Sequence, residues 1–148
     1  MSINGKCVMK NIKVLIADDH CDFRRVVHSF LSKLPNISVV GEANDGTEAI
    51  AQVEKLIPDV VLMDIAMPRM NGLDATRIIK QRWPETKIYI ATSHDDPVYR
   101  LKAIDAKADG FILKSVLKPS LEATFCTSLA PVSIEMPCVE KNVSNEIL

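Results

Sequence analysis

The chain has 148 residues, with 18 Lys+Arg against 19 Asp+Glu, a formal net charge of -1, 47% hydrophobic residues and 25% charged ones. That length suits one domain with a real core and a short tail. The balanced charge argues against a whole-chain binder of nucleic acid or anionic membrane. No apolar run approaches the roughly 18 residues of a membrane span.

Residues 1–10 (MSINGKCVMK) lack the continuous apolar stretch of a secretion signal. Cys7, Cys21, Cys126 and Cys138 form no C-x-x-C pair. Their wide spacing suggests neither a disulfide framework nor a zinc site, so they are expected to be reduced thiols in a cytoplasmic protein.

In chain order, the pattern alternates two periods. Residues 12–17 (IKVLIA) are a short apolar run, a buried strand. Residues 22–34 carry Phe23, Val26, Val27, Phe30, Leu31 and Leu34 at helical spacing, and Pro35 is expected to stop that helix. Residues 37–41 read as a second strand, Asp45-Gly46 as a turn and helix start, and 47–57 as a helix. Residues 59–63 (DVVLM) form a third strand without polar alternation, followed by a loop over 65–72. A helix over 73–83 ends before Pro84, and 87–92 (KIYIAT) is the fourth strand. A helix over 97–106 has Val98, Leu101 and Ile104 as its apolar positions; 110–113 is the fifth strand and 119–129 the last helix. Residues 130–148 break the pattern and read as a tail or linker. Strands alternating with helices predict a parallel, doubly wound α/β sheet.

In such a sheet the carboxyl ends of all strands share one edge, where ligands bind. Asp18 and Asp19 follow strand one, Asp64 strand three, Thr92 and Ser93 close strand four, and Lys114 follows strand five. Two like charges about 4 Å apart repel by roughly 4 kcal/mol at an effective dielectric near 20. One lysine does not balance three acids, so a hard divalent cation is expected. Mg2+ suits few protein oxygens and retains waters. Cation, carboxylate, hydroxyl and lysine together match the needs of phosphoryl transfer. Asp64, the central acid, is the expected nucleophile.

VLIADDH (14–20), DVVLMDIAMPRMNG (59–72), TSHDD (92–96) and ADGFILK (108–114) resemble the response-regulator receiver domain. The wording of the last two is most like receivers that precede a LuxR-type helix-turn-helix. The resemblance implies a flavodoxin-like (βα)5 receiver over residues 11–129, strand order 2-1-3-4-5, after a short extension at 1–10. It implies Asp64 as phosphoacceptor from a sensor histidine kinase or phosphotransfer protein. It implies Mg2+ on Asp18, Asp19, Asp64 and the Ala66 carbonyl. Thr92 and Phe111 take the switch positions, and Lys114 pairs with the phosphoryl group. Phe111 has no hydroxyl, so it signals by packing. Ser115 stands where many receivers have proline after the lysine.

The family's switching implies that the face over 93–114 repacks, with a possible phosphorylation-dependent homodimer. About 19 residues follow the last helix, too few for a helix-turn-helix domain, so no direct nucleic-acid contact is expected of this chain, which is read as either a stand-alone receiver or the N-terminal part of a transcriptional regulator. A rival reading is a Mg2+-dependent hydrolase with an aspartate nucleophile; Ala66, two residues on, offers no general acid. A third is a degenerate interaction domain, against which the intact acids, Thr92 and Lys114 argue. Of the histidines, His20 reads as a surface or helix-start residue, His94 as a neighbour of the site mouth, and His28 as structural. Met63, Met67 and Met70 read as packing.

Overall fold

A computed structural model describes residues 11–127. The elements are β1 (Ile12–Ala17), α1 (Cys21–Leu31), β2 (Ile37–Ala43), α2 (Gly46–Leu56), β3 (Val60–Met63), α3 (Gly72–Arg82), β4 (Lys87–Thr92), α4 (Pro97–Asp105), β5 (Gly110–Leu113), a 3-10 turn (Lys114–Val116) and α5 (Leu117–Thr127). All strand pairs are parallel, in the order β2-β1-β3-β4-β5. The proposed extension at 1–10 and tail at 130–148, with Cys7 and Cys138, lie outside the described residues, as does the side chain of Cys126. Cys21 is a free, exposed thiol.

Strand alternation splits the core into two layers. Val14 and Ile16 of β1 face Val27 and Leu31 of α1 and Leu121 and Phe125 of α5. Leu15 and Ala17 face the other way, toward Ala49 and Val53 of α2, Ile79 of α3 and Ala103 of α4. Both faces of the sheet are thus covered, which explains the lack of polar alternation in the strands. Among the described residues, no helix is long and apolar enough to cross a membrane.

Three helices start where a short polar side chain caps them. Asp45 accepts from Glu48 N, Asn71 from Asp74 N, and Asp96 from Val98 N with Pro97 at the first turn. The Glu48 carboxylate in turn accepts at 2.7 Å from the N–H of Asn44, the residue just before the cap.

Several boundaries differ from the sequence pattern. α1 ends at Leu31, before Leu34. Beyond it the amides of Lys33 and Leu34 reach back only three residues, to Phe30 and Leu31. That tighter winding accompanies a left-handed Asn36, φ 63°, after Pro35. β2 runs on to Ala43, because a bulge leaves Val40 unpaired and restores register at Leu15↔Gly41. α5 starts at Leu117, since Pro119 sits in the first turn, where a missing N–H has no intrahelical partner to lose.

The apolar face assigned to α4 is inverted: Val98, Leu101 and Ile104 are 51%, 66% and 58% exposed. The small Ala103 and Ala106 face the sheet instead. His28 is exposed on α1, not structural.

Ile57 closes α2 in the left-handed region, φ 46° and ψ 62°, with its side chain half exposed. A β-branched residue there is strained by roughly 1–2 kcal/mol. Ile57→Gly relieves that strain against a chain-entropy penalty of roughly 0.5–1 kcal/mol. It is expected to raise stability by about 0.5–1 kcal/mol, read as a higher urea midpoint at unchanged slope. A lower midpoint would contradict the strain.

Candidate functional site

The site is assembled by strand register. β1 and β3 pair with Ala17 opposite Met63, and Asp64 N donates to Ala17 O at 2.9 Å. The next residues, Asp18 and Asp64, therefore emerge side by side at the carboxyl edge. They are 1% and 5% exposed, so two carboxylates are held close and away from water. Lys114, opening the 3-10 turn after β5, reaches both. Its Nζ lies 2.6 Å from Asp18 Oδ2 and 3.4 Å from Asp64 Oδ1. The ammonium also sits 4.1 Å from the centre of the Phe23 ring, which shelters one side of it.

Lys114 does not fully offset the crowding. The Asp64 carboxyl is pushed up from 3.8 to about 6, first by burial and then by the Asp18 charge. Lys114 and the Ile65 N–H oppose that rise.

Asp19 lies exposed at the mouth. His20 is the N-cap residue of α1 without a side-chain cap. Its backbone N–H donates to Asp18 Oδ1 at 2.8 Å, and its Nδ1 lies 3.1 Å from Asp19 Oδ1. One donor atom from each of Asp18, Asp19, His20 and Asp64 can be chosen so that all lie within 4.8 Å of one another. Three carboxylates against one ammonium leave a local negative excess, and hard oxygen donors at this spacing fit a small divalent cation.

The other expected residues flank this cluster. Ala66 is exposed in the loop two residues beyond Asp64. Thr92 is buried at the end of β4, but its Oγ1 accepts from His94 N at 3.1 Å, within its own loop. Phe111 is buried on β5, with the Arg100 guanidinium 4.9 Å above its ring. Arg100 also donates to Asp95 at 3.1 Å. The His94 ring packs against Tyr99, with centroids 5.4 Å apart. Met63 and Met67 are buried core residues and Met70 packs against that core. Among the described residues every peptide bond is trans, Lys114–Ser115 included.

Supporting contacts that residue order did not reveal hold the cluster from outside. Arg24 donates to the Asp18 carbonyl and to Glu42 Oε1, tying α1 and β2 to the end of β1. Asp45, read only as a turn and helix start, is buried and bonds Arg69 Nε at 2.6 Å. The Glu48 N–H, first, and the Arg69 guanidinium hold the Asp45 carboxyl below the usual range, against the effect of burial. Gly46 N donates to Met70 O, and Gly72 N to Ile65 O, both at 2.9 Å. The loop after Asp64 is thus pinned at its middle and closed at its end. A Cβ on Gly72 would lie 1.9 Å from the Asp64 carbonyl oxygen, so only glycine fits there.

A five-stranded parallel sheet in this order, with paired acids, a central aspartate and a lysine at its carboxyl edge, has the layout of a receiver. Residues 14–125 match the family model of the response regulator receiver domain, and the chain belongs to that family. It is 42% identical over 114 residues to the transcriptional regulatory protein DegU of Brevibacillus brevis, covering 77% of this chain and 48% of DegU. It is 44% identical over 106 residues to a protein-glutamate methylesterase/protein-glutamine glutaminase of Pyrococcus horikoshii, covering 71% and 29%. The chain therefore spans about half or less of these relatives. Among solved structures, a LuxR-family two-component response regulator from Aurantimonas superposes with a TM-score of 0.81 at 30% identity, covering 93% of this chain and 98% of the other.

The Asp64 shift has a signed consequence. Its folded-state pKa lies above the unfolded value, so its contribution to stability is full below about 4 and is lost as pH rises through about 6. Without divalent cations, Asp64→Asn is expected to be more stable than the unchanged chain at neutral pH by about 1–3 kcal/mol. The difference should fade as pH falls from about 6 to about 4. Urea melts across that range read it; an Asn variant no more stable at neutral pH would refute the burial argument.

Proposed function

We propose that this chain is a phosphorylation-controlled switch whose Asp64 accepts a phosphoryl group. The phosphohistidine of a sensor histidine kinase or phosphotransfer protein is the donor. The observation that carries this reading is the Lys114 ammonium set between buried Asp18 and Asp64 at the sheet's carboxyl edge.

Asp64 attacks phosphorus through a carboxylate oxygen; the new O–P bond replaces the donor's P–N bond, and the imidazole leaves with a proton. With its carboxyl near 6, Asp64 is largely ionised at neutral pH, as a nucleophile must be. Asp18, Asp19, Asp64 and the Ala66 carbonyl would hold Mg2+, which would supply positive charge against the phosphoryl oxygens. Lys114 turns from Asp18 toward the same group. The Thr92 hydroxyl leaves the His94 amide for a phosphoryl oxygen. That movement draws on the loop carrying Asp95, whose bond to Arg100 steadies the guanidinium over Phe111. Shifting a two-state equilibrium from 1:99 to 99:1 needs about 5.5 kcal/mol. Charge-assisted bonds of roughly 1.5–3 kcal/mol each make Thr92 and Lys114 the right size for that task.

The readout is the face over 93–114, with a second copy of the chain as one partner. The domain is assigned to 11–129, with 1–10 an extension and 130–148 a tail or linker. The chain acts in the cytoplasm and itself contacts neither nucleic acid nor membrane, in keeping with its net charge of -1. Its role is acceptor rather than enzyme, because Ala66 supplies no acid or base for turnover. Relatives named as transcription regulators support a transcriptional output for the protein to which it belongs.

Incubation with Mg2+ and acetyl phosphate should add one phosphoryl group by intact mass, and Asp64→Asn should abolish it. Beryllium fluoride should shift amide resonances across 93–114. An adduct that persists in Asp64→Asn would falsify the assignment. Phosphate release over many turnovers would instead favour the hydrolase.

A further inference from the structure

His20 stands at the site with no part in the reading above. Its backbone N–H bond to Asp18 Oδ1 closes an Asx-type turn across 18–20. The turn holds the imidazole on the same side as the acids, with Nδ1 3.1 Å from Asp19 Oδ1 and 3.3 Å from Asp18 Oδ1. In an octahedral shell with bonds of about 2.1 Å, adjacent donors lie about 3.0 Å apart and opposite ones about 4.2 Å. The two imidazole–carboxylate spacings are close to one octahedral edge. The whole four-residue set, within 4.8 Å, is compact enough to share one ion.

The chemistry of the ring favours such a role. A neutral imidazole adds a donor without adding to the negative excess of three carboxylates. The His20 side chain is 70% exposed, so it is not committed to the core and gives up little to reach an ion. Imidazole nitrogen suits later first-row ions better than Mg2+, whose preference is for oxygen.

We infer that His20 Nδ1 is a nitrogen donor to the cation site, so the pocket takes octahedral first-row ions such as Co2+ more tightly than its carboxylates alone would. This rests on the cation site proposed above; His20 changes its selectivity, not its existence. The competing role for the ring is a hydrogen bond from Nδ1–H to the two acids.

The test uses the full chain and Co2+ and Mg2+ alone, titrated by calorimetry, with proton NMR of the Co2+ form. His20→Ala should weaken Co2+ binding by roughly tenfold and leave Mg2+ affinity unchanged. Hyperfine-shifted imidazole signals should appear in the unchanged chain and in His94→Ala, and vanish in His20→Ala. The chain has three histidines, so the assignment is clean. Signals that survive His20→Ala, or an equal loss of both ions, overturn the inference and leave the cation site standing. Failure of the unchanged chain to bind either ion overturns the site and the inference together.

Discussion

Two aspartates, Asp18 and Asp64, are buried side by side at the end of adjacent parallel strands, and the rest of the site answers their mutual repulsion. Two like charges about 4 Å apart at an effective dielectric near 20 repel by roughly 4 kcal/mol. Buried charge is tolerated only when paired and hydrogen-bonded. Lys114 supplies the pairing to both, and the His20 N–H a further bond to Asp18. The raised Asp64 carboxyl shows that these contacts fall short of full compensation. A pocket left short of positive charge has chemical capacity: it favours a cation and a group whose charge the cation and lysine can share.

The topology explains why the compensating group is a long side chain. In the order β2-β1-β3-β4-β5, the ends of β3 and β4 lie between Lys114 and Asp18. Strands sit about 4.8 Å apart, so the ammonium must extend over its neighbours, helped by the 3-10 turn that starts at Lys114. Thr92, at the end of β4, lies on that route. Its hydroxyl accepts from the His94 amide in the loop leading into α4.

The strands were legible because each is a short apolar run bounded by polar or turn residues; β4 and β5 fall where 87–92 and 110–113 predict them. Asp18, Asp64 and Lys114 were legible because a parallel sheet sends all strand ends to one edge. Other features were not. α4 was read with Val98, Leu101 and Ile104 as its apolar positions, yet its inner surface is built from alanines, whose small size lets the helix approach β5. The Asp45–Arg69 pair joins residues 24 apart, and Arg69 adopts a positive φ of 64° that an arginine does not announce. The cap at Asp45 was visible; its second partner depended on a loop path that only the folded chain defines.

Gly72 makes no ion pair and bears no reactive atom, yet it meets the backbone of Asp64 more closely than any side chain could. The permitted alphabet at position 72 therefore has one letter, while Ala66, exposed and nearer in sequence to the acid, is sterically free to vary. Intolerance of replacement in this loop measures proximity to the Asp64 main chain rather than participation in chemistry. A redesign of the pocket has its latitude at the loop's outer turn and none where the loop rejoins α3.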